Sequence, residues 1–246
     1  MRASLPMYDR PDLRGAHHRL WRGVRAALGH GPDTLSHPAN PWDDWTAPDL
    51  LLSQTCGYPY RARLHGHVTL VATPEHRLPG CPPGHYASVF VARQSDPRSD
   101  PVEFAESPFA YNEPLSQSGW AAPATYAADR GFAFIDTRRT GAHVASARAV
   151  ADGHADLAAL DAQTWRLMQR HDPAARHLRV IAMTDPTPAL PYITGPDRVP
   201  APLRAALAQA IRTLPAPDRD ALGLYGLVTI PAAVYLAVPT PAPPPA

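Results

Sequence analysis

The chain of 246 residues contains no lysine; all 23 of its basic residues are arginine. That absence excludes Schiff-base lysine catalysis and a Walker-type phosphate loop, because both need the ε-ammonium group. Cysteine is nearly as scarce. Cys56 and Cys81 lie outside any C-x-x-C pair, so a cysteine-based zinc site is not indicated. Charge is low as well, with 18% charged residues and a net charge of +1. No global field therefore recruits nucleic acid or an acidic membrane surface. No apolar run approaches the ~20 residues of a membrane-spanning helix. The opening "MRASLPMYDRPDLRG" lacks the apolar core of a signal peptide, reaching a proline and charges at once. The twelve histidines show no H-E-x-x-H spacing, so neither a metal nor another cofactor is expected.

Apolar residues are plentiful, at 45%. A chain of this length can bury one large core or two small ones. Residues 11–29 place Leu13, Leu20, Trp21, Val24 and Leu28 near helical spacing, and Gly29 suits a stop. Short apolar runs predict strands at 3–8, 48–55, 67–73, 86–93, 109–112, 131–136, 155–161 and 178–184. Helical patterns fall at 116–130, 141–152, 162–171, 200–213 and near 218–224. Strands alternating with helices predict an α/β architecture with mostly parallel sheets flanked by helices.

A proline- and glycine-rich segment, 74–85, and the proline-rich "TDPTPALP" (184–191) bracket a middle block. This predicts two lobes: a discontinuous one of residues 1–84 and 186–238, and a second of 85–185. The tail "PTPAPPPA" (239–246) has a polyproline composition and is expected to be disordered.

In α/β folds, ligands collect at the carboxyl ends of strands and between lobes. Several polar groups follow apolar strands here. They are Tyr8; Ser53 and Gln54; Tyr111 and Asn112; Ser116, Ser118 and Gly119; Thr140 and His143; and Asp161. The stretch "AYNEPLSQSGW" (110–120) sets small hydroxyls and an amide before a helical run. Such residues cap helix starts, and a helix start also attracts anions through its N–H groups. Both readings are open. Ser116 and Ser118 are caps or anion ligands, His143 is structural or a ligand contact, Asp161 is a cap or a ligand contact, and Tyr8 is core filler or site wall. Cys56 and Cys81 are either two separate thiols or one disulfide, closing a loop of roughly 25 residues worth about 3 kcal/mol on an entropic model.

The segments "PDLLLSQTCGYPY", "GCPPGHYASVFVAR", "FAYNEPLSQSGW", "TGAHVASARAVADGHADLAALDAQTW" and "LPYITG" together resemble the phosphate/phosphite/phosphonate-binding family of ABC-transporter substrate-binding proteins. The resemblance runs from about residue 3 to about residue 235. It implies the two-lobed periplasmic-binding-protein fold, type II, closing on its ligand by a hinge. It also implies that Ser116, Ser118 and Gly119, with Tyr111 and Asn112 before them, grip phosphonate or phosphite oxygens. His143 matches the histidine of the next helix start, and Asp161 a position that in some relatives meets a ligand amino group. Tyr8 and Ser53 to Tyr58 match the first-lobe wall loosely.

The expectation is a non-catalytic solute-binding protein for a small oxyanion, a phosphonate or phosphate-like compound, acting as a monomer with an ABC permease as partner. The setting is the periplasm if a leader precedes the recorded start, and otherwise the cytoplasm. The alternatives are a cytosolic lyase-type enzyme on the same fold, acting on a small carboxylic acid with His143 and Asp161 as acid/base groups, and a ligand-sensing module.

Overall fold

Ala16, Leu20, Trp21 and Val24 repeat at helical spacing on the helix Arg14–Leu28, and all four are buried. In the computed structural model, which describes residues 1–245, this helix packs on a second amphipathic helix, Pro200–Thr213. The two approach closely at Gly23, where a β-carbon would lie 3.1 Å from Ala210 Cβ. The first helix ends at Gly29, whose φ of +81° costs glycine little and lets its N–H close on Arg25 O at 2.9 Å. A two-pronged ion pair from Arg19 to Asp218, at 2.6 and 2.7 Å, ties it to the short helix Ala216–Leu222.

These helices belong to the first of two compact units, Met1–His85 with Pro188–Ala237. Its sheet runs in the order Arg2–Ala3, Leu50–Gln54, Tyr192–Thr194, Thr69–Glu75, Gly226–Val228. Leu50, Tyr60, Ile193 and Tyr235 lie in its core. The second unit, Tyr86–Thr187 together with the chain from Val238 onward, has the order Thr137–Arg139, Phe109–Tyr111, Leu157–Asp161, Ser88–Arg93, Leu178–Met183. Phe90, Phe109, Trp120 and Phe134 centre its core, with the rings of Phe109 and Phe134 stacked 4.2 Å apart. Each such buried side chain contributes about 1.5–3 kcal/mol of transfer free energy. Among the described residues no helix is long and apolar enough to cross a membrane.

The α/β character and flanking helices are as expected, but the sheets are mixed rather than mostly parallel. Among the described strand pairs of the first unit's sheet, Arg2–Ala3 with Leu50–Gln54 is parallel and the other three are antiparallel. In the second, Phe109–Tyr111 is parallel to both its neighbours, while Ser88–Arg93 is antiparallel to both of its own. An apolar run reports burial on two faces and carries no information on strand direction.

One further expectation changes. "GFAFID" (131–136) is not a strand; Phe134 packs into the core from a loop, and ladder pairing begins only at Thr137. The proline-rich segment, expected to be disordered, follows the second unit through residue 245 without regular secondary structure. There Trp120 Nε1 donates to Ala242 O at 2.8 Å and Thr137 Oγ1 to Pro245 O at 3.2 Å. Residue 246 lies outside the described residues.

Candidate functional site

The strand Phe109–Tyr111 delivers Asn112 to a turn that opens a helix. Ser116 is the cap, with its Oγ accepting the Gly119 N–H at 2.9 Å. Its carbonyl accepts from both Trp120 N at 3.2 Å and Ala121 N at 3.0 Å, so the first turn is wider than an α-turn. The regular helix Ala122–Ala128 follows. Ser116 and Ser118 are both buried. Gly119 is there for space rather than for its dihedral angles. A β-carbon at 119 would sit 1.8 Å from Asn112 Oδ1 and 3.1 Å from Ser116 Oγ.

The second helix start is built from the neighbouring strand, Thr137–Arg139. Thr140 and Gly141 hydrogen-bond back through their N–H groups to Tyr111 O and Asn112 O, both at 2.9 Å. Gly141 takes a φ of +86°, Ala142 is extended, and the helix runs His143–Ala151. Thr140 Oγ1 lies 2.7 Å from Ser146 Oγ and 3.1 Å from Tyr111 O, so this hydroxyl holds the turn together. The two helix starts then meet, Ser118 Oγ lying 2.9 Å from His143 Nε2.

The His143 ring is largely desolvated, its Nδ1 exposing less than 1 Å². Burial lowers its pKa to about 4, against the opposing pull of a backbone hydrogen bond at Ala159. The imidazole is therefore neutral at pH 7. The nearby cation Arg139 is half-exposed and paired with Glu113 at 2.5 Å. What this corner offers an anion is thus mostly dipolar: hydroxyls, a neutral imidazole, and first-turn N–H groups without intrahelical acceptors. Among the described residues, no group of three or more His, Cys, Asp or Glu side chains could hold a metal ion.

The remaining expected site residues have the following partners in the structure. Asp161, 2% exposed, ends its strand and caps the helix Ala162–His171, accepting the Thr164 N–H at 2.8 Å. Tyr111 packs its ring against Trp120 at 5.6 Å. In the first unit, Ser53 Oγ pairs with Ser4 Oγ at 2.9 Å, and Gln54 Nε2 donates to Leu190 O at 3.0 Å. The strand that bears them is buried on both faces, so these side chains turn into the unit. Tyr8 is buried with its ring edge-on to His76, and Tyr58 lies under the Arg61 guanidinium at 4.3 Å. Cys56 and Cys81 do not form a disulfide; each is a half-buried thiol.

Two contributors were not singled out from the sequence. Ser146, three residues after His143, reads as an ordinary helix residue until Thr140 folds back onto it. Trp120 reads as core filler, which it is, but its indole N–H also reaches the tail.

A family model described as ABC transporter, phosphonate, periplasmic substrate-binding protein matches residues 49–233. Similar folds occur among solved structures. PhnD1 from Prochlorococcus marinus in complex with methylphosphonate superposes with a TM-score of 0.74 at 17% identity, covering 96% of this chain and 94% of that one. A binding protein component of an ABC phosphonate transporter from Pseudomonas aeruginosa gives a TM-score of 0.74 at 16% identity, over 96% and 82%. XAC2383 from Xanthomonas citri, solved with chloride, gives 0.69 at 15% identity, over 95% and 92%. At these identities the likeness shows the fold, that of type II periplasmic binding proteins. No curated protein matches the chain.

Proposed function

We propose, for a chain that belongs to the ABC-transporter phosphonate periplasmic substrate-binding family, that its second unit holds a small phosphonate or phosphate-like oxyanion between two helix starts. The chain is a solute-binding protein and not an enzyme. The observation that carries the site assignment is the 2.9 Å contact between Ser118 Oγ and His143 Nε2. It brings together two helix N-termini that the sequence separates by 25 positions.

A tetrahedral oxyanion presents several acceptor oxygens and needs donors converging from more than one direction. The Ser118 hydroxyl, the Asn112 amide and the first-turn N–H groups of Ser118 and of the His143 helix supply them. No lysine or arginine need touch the ligand, because aligned peptide dipoles favour negative charge there. The Ser118–His143 pair can offer one O–H or accept one ligand proton, according to the imidazole tautomer. Asp161 stays outside this set, its carboxylate serving as a cap. That a protein of this fold, PhnD1, was solved with methylphosphonate supports the ligand class. The same reading puts the chain in the periplasm, delivering its ligand to an ABC permease.

The test is a thermal-shift screen against phosphate, phosphite, sulfate, methylphosphonate and small carboxylates. A ligand at a hundred times its Kd stabilises by ~2.7 kcal/mol, a readily measured shift. A shift with a phosphorus oxyanion is expected. Shifts with carboxylates alone would overturn the ligand class.

A further inference from the structure

The last described residues touch both segments that build the proposed site. Trp120 directly follows Gly119 in the first helix start, and its buried ring packs against Phe109 and Tyr111. Its indole N–H donates to Ala242 O at 2.8 Å. Thr137 begins the strand that leads through Arg139 into Thr140, Gly141 and His143, and its hydroxyl donates to Pro245 O at 3.2 Å. We propose that the proline-rich segment 239–245 is a positioning element of the anion site, holding the two helix starts in register through Trp120 and Thr137. The inference rests on the site assignment made above.

The chemistry of the segment fits that task. Proline has no N–H, so Pro239, Pro241 and Pro243 to Pro245 bring carbonyl acceptors and no donors. A polyproline-like strip makes no internal hydrogen bonds, which leaves its carbonyls for outside partners. The site segments supply the matching donors, one indole N–H and one hydroxyl. Prolines also restrict the undocked chain, so docking it costs less entropy than docking an ordinary tail. Tryptophan buries a large ring and directs a single N–H, so its ring position depends on where that acceptor lies. A shift of Trp120 would move Gly119 and Ser118, which adjoin it in sequence. A shift of Thr137 would move the strand that feeds His143. The Ser118–His143 contact depends on both.

The experiment compares the full chain with a chain ending at Val238 and with full-length Trp120→Phe and Thr137→Val. Methylphosphonate and inorganic phosphate are the probes, titrated calorimetrically. Amide exchange is followed in residues 116–121 and 140–145. Truncation is expected to weaken binding about tenfold, on the scale of losing one or two hydrogen bonds. It is also expected to speed exchange in those two segments selectively. Trp120→Phe, which keeps the ring and removes the N–H, should produce part of both effects. Adding the peptide PTPAPPP to the truncated protein should restore affinity and protection, which a purely structural role would not predict. Unchanged affinity and exchange in the truncated protein would overturn the proposal, whatever its melting temperature. So would faster exchange spread evenly over the whole unit. If the full chain binds neither probe, the site assignment fails, and the exchange data alone still decide whether the tail holds the two segments.

Discussion

Asn112 fills the place where a side chain at Gly119 would go: a β-carbon at 119 would stand 1.8 Å from Asn112 Oδ1. The two residues are seven apart in sequence, one leaving a strand and the other inside a helix start. Their interlock sets how closely the strand end approaches the first turn. Asn112 O, accepting the Gly141 N–H at 2.9 Å, then ties that strand end to the second helix start. One residue is thus wedged against one helix start and bonded to the other.

Gly119→Ala should therefore damage the site even though alanine favours helices. The contact is too short to absorb without moving Asn112 or the turn, and such overpacking costs about 1–3 kcal/mol. Urea unfolding should show this loss, and calorimetry should show phosphonate binding weakened with it. Adding Asn112→Ala removes the clashing oxygen and should restore stability more than binding.

Ser118→Ala should weaken oxyanion binding about tenfold, the value of one hydrogen bond to a charged ligand. His143→Gln should weaken it similarly. Ser53→Ala provides the contrast. Its hydroxyl is committed to Ser4, so stability should fall by about 1 kcal/mol while affinity holds. Calorimetric titration of the three variants checks this pattern. If neither Ser118→Ala nor His143→Gln altered affinity, the site would lie elsewhere.

Stability should depend on pH through buried imidazoles. His143 and His17 are both held near a pKa of about 4 by burial, against about 6.5 for the group in an unfolded chain. Between those values the unfolded chain binds more protons than the folded one, so stability rises with pH across that window. Acidifying from pH 6.5 to 4 should cost on the order of 2–3 kcal/mol per histidine, and the loss levels off below pH 4 as the folded imidazoles also protonate. Thermal melts across pH 4–7 check the slope, which His143→Gln should reduce and a second substitution, His17→Gln, reduce again.

Cys56 and Cys81 are separate thiols in the structure, so reducing agent should leave the melting temperature unchanged. Alkylation of the unfolded protein without prior reduction should add two groups by mass spectrometry. A single disulfide would instead block both, and its removal would lower stability by about 3 kcal/mol.

Much of the fold was legible in the residues. The helix Arg14–Leu28 follows from its apolar spacing and from Gly29, and Leu157–Asp161 with its following helix from a compact apolar run ending in a capping residue. These are local signals, set by side-chain period and backbone freedom. "GFAFID" misled because aromatic alternation serves a core-packing loop as well as a strand; the difference lies in whether a partner strand is within reach. Ser53 and Gln54 show a related ambiguity. A polar residue at a strand end points to a ligand or to a neighbour, and only the fold supplies the neighbours, here Ser4 and Leu190.

The sequence by itself determined the chemistry on offer. With no lysine and no metal-binding spacing, it limits an anion site to hydroxyls, amides, arginine, imidazole and helix starts. It also places two such starts after two apolar strands. The tertiary structure decided that these starts meet at Ser118 and His143, that burial keeps the imidazole neutral, and that the tail runs to Trp120 and Thr137. The reason is physical. Composition and period act over a few residues, whereas a hydrogen bond across 25 or more than a hundred positions forms only when packing elsewhere has fixed both partners.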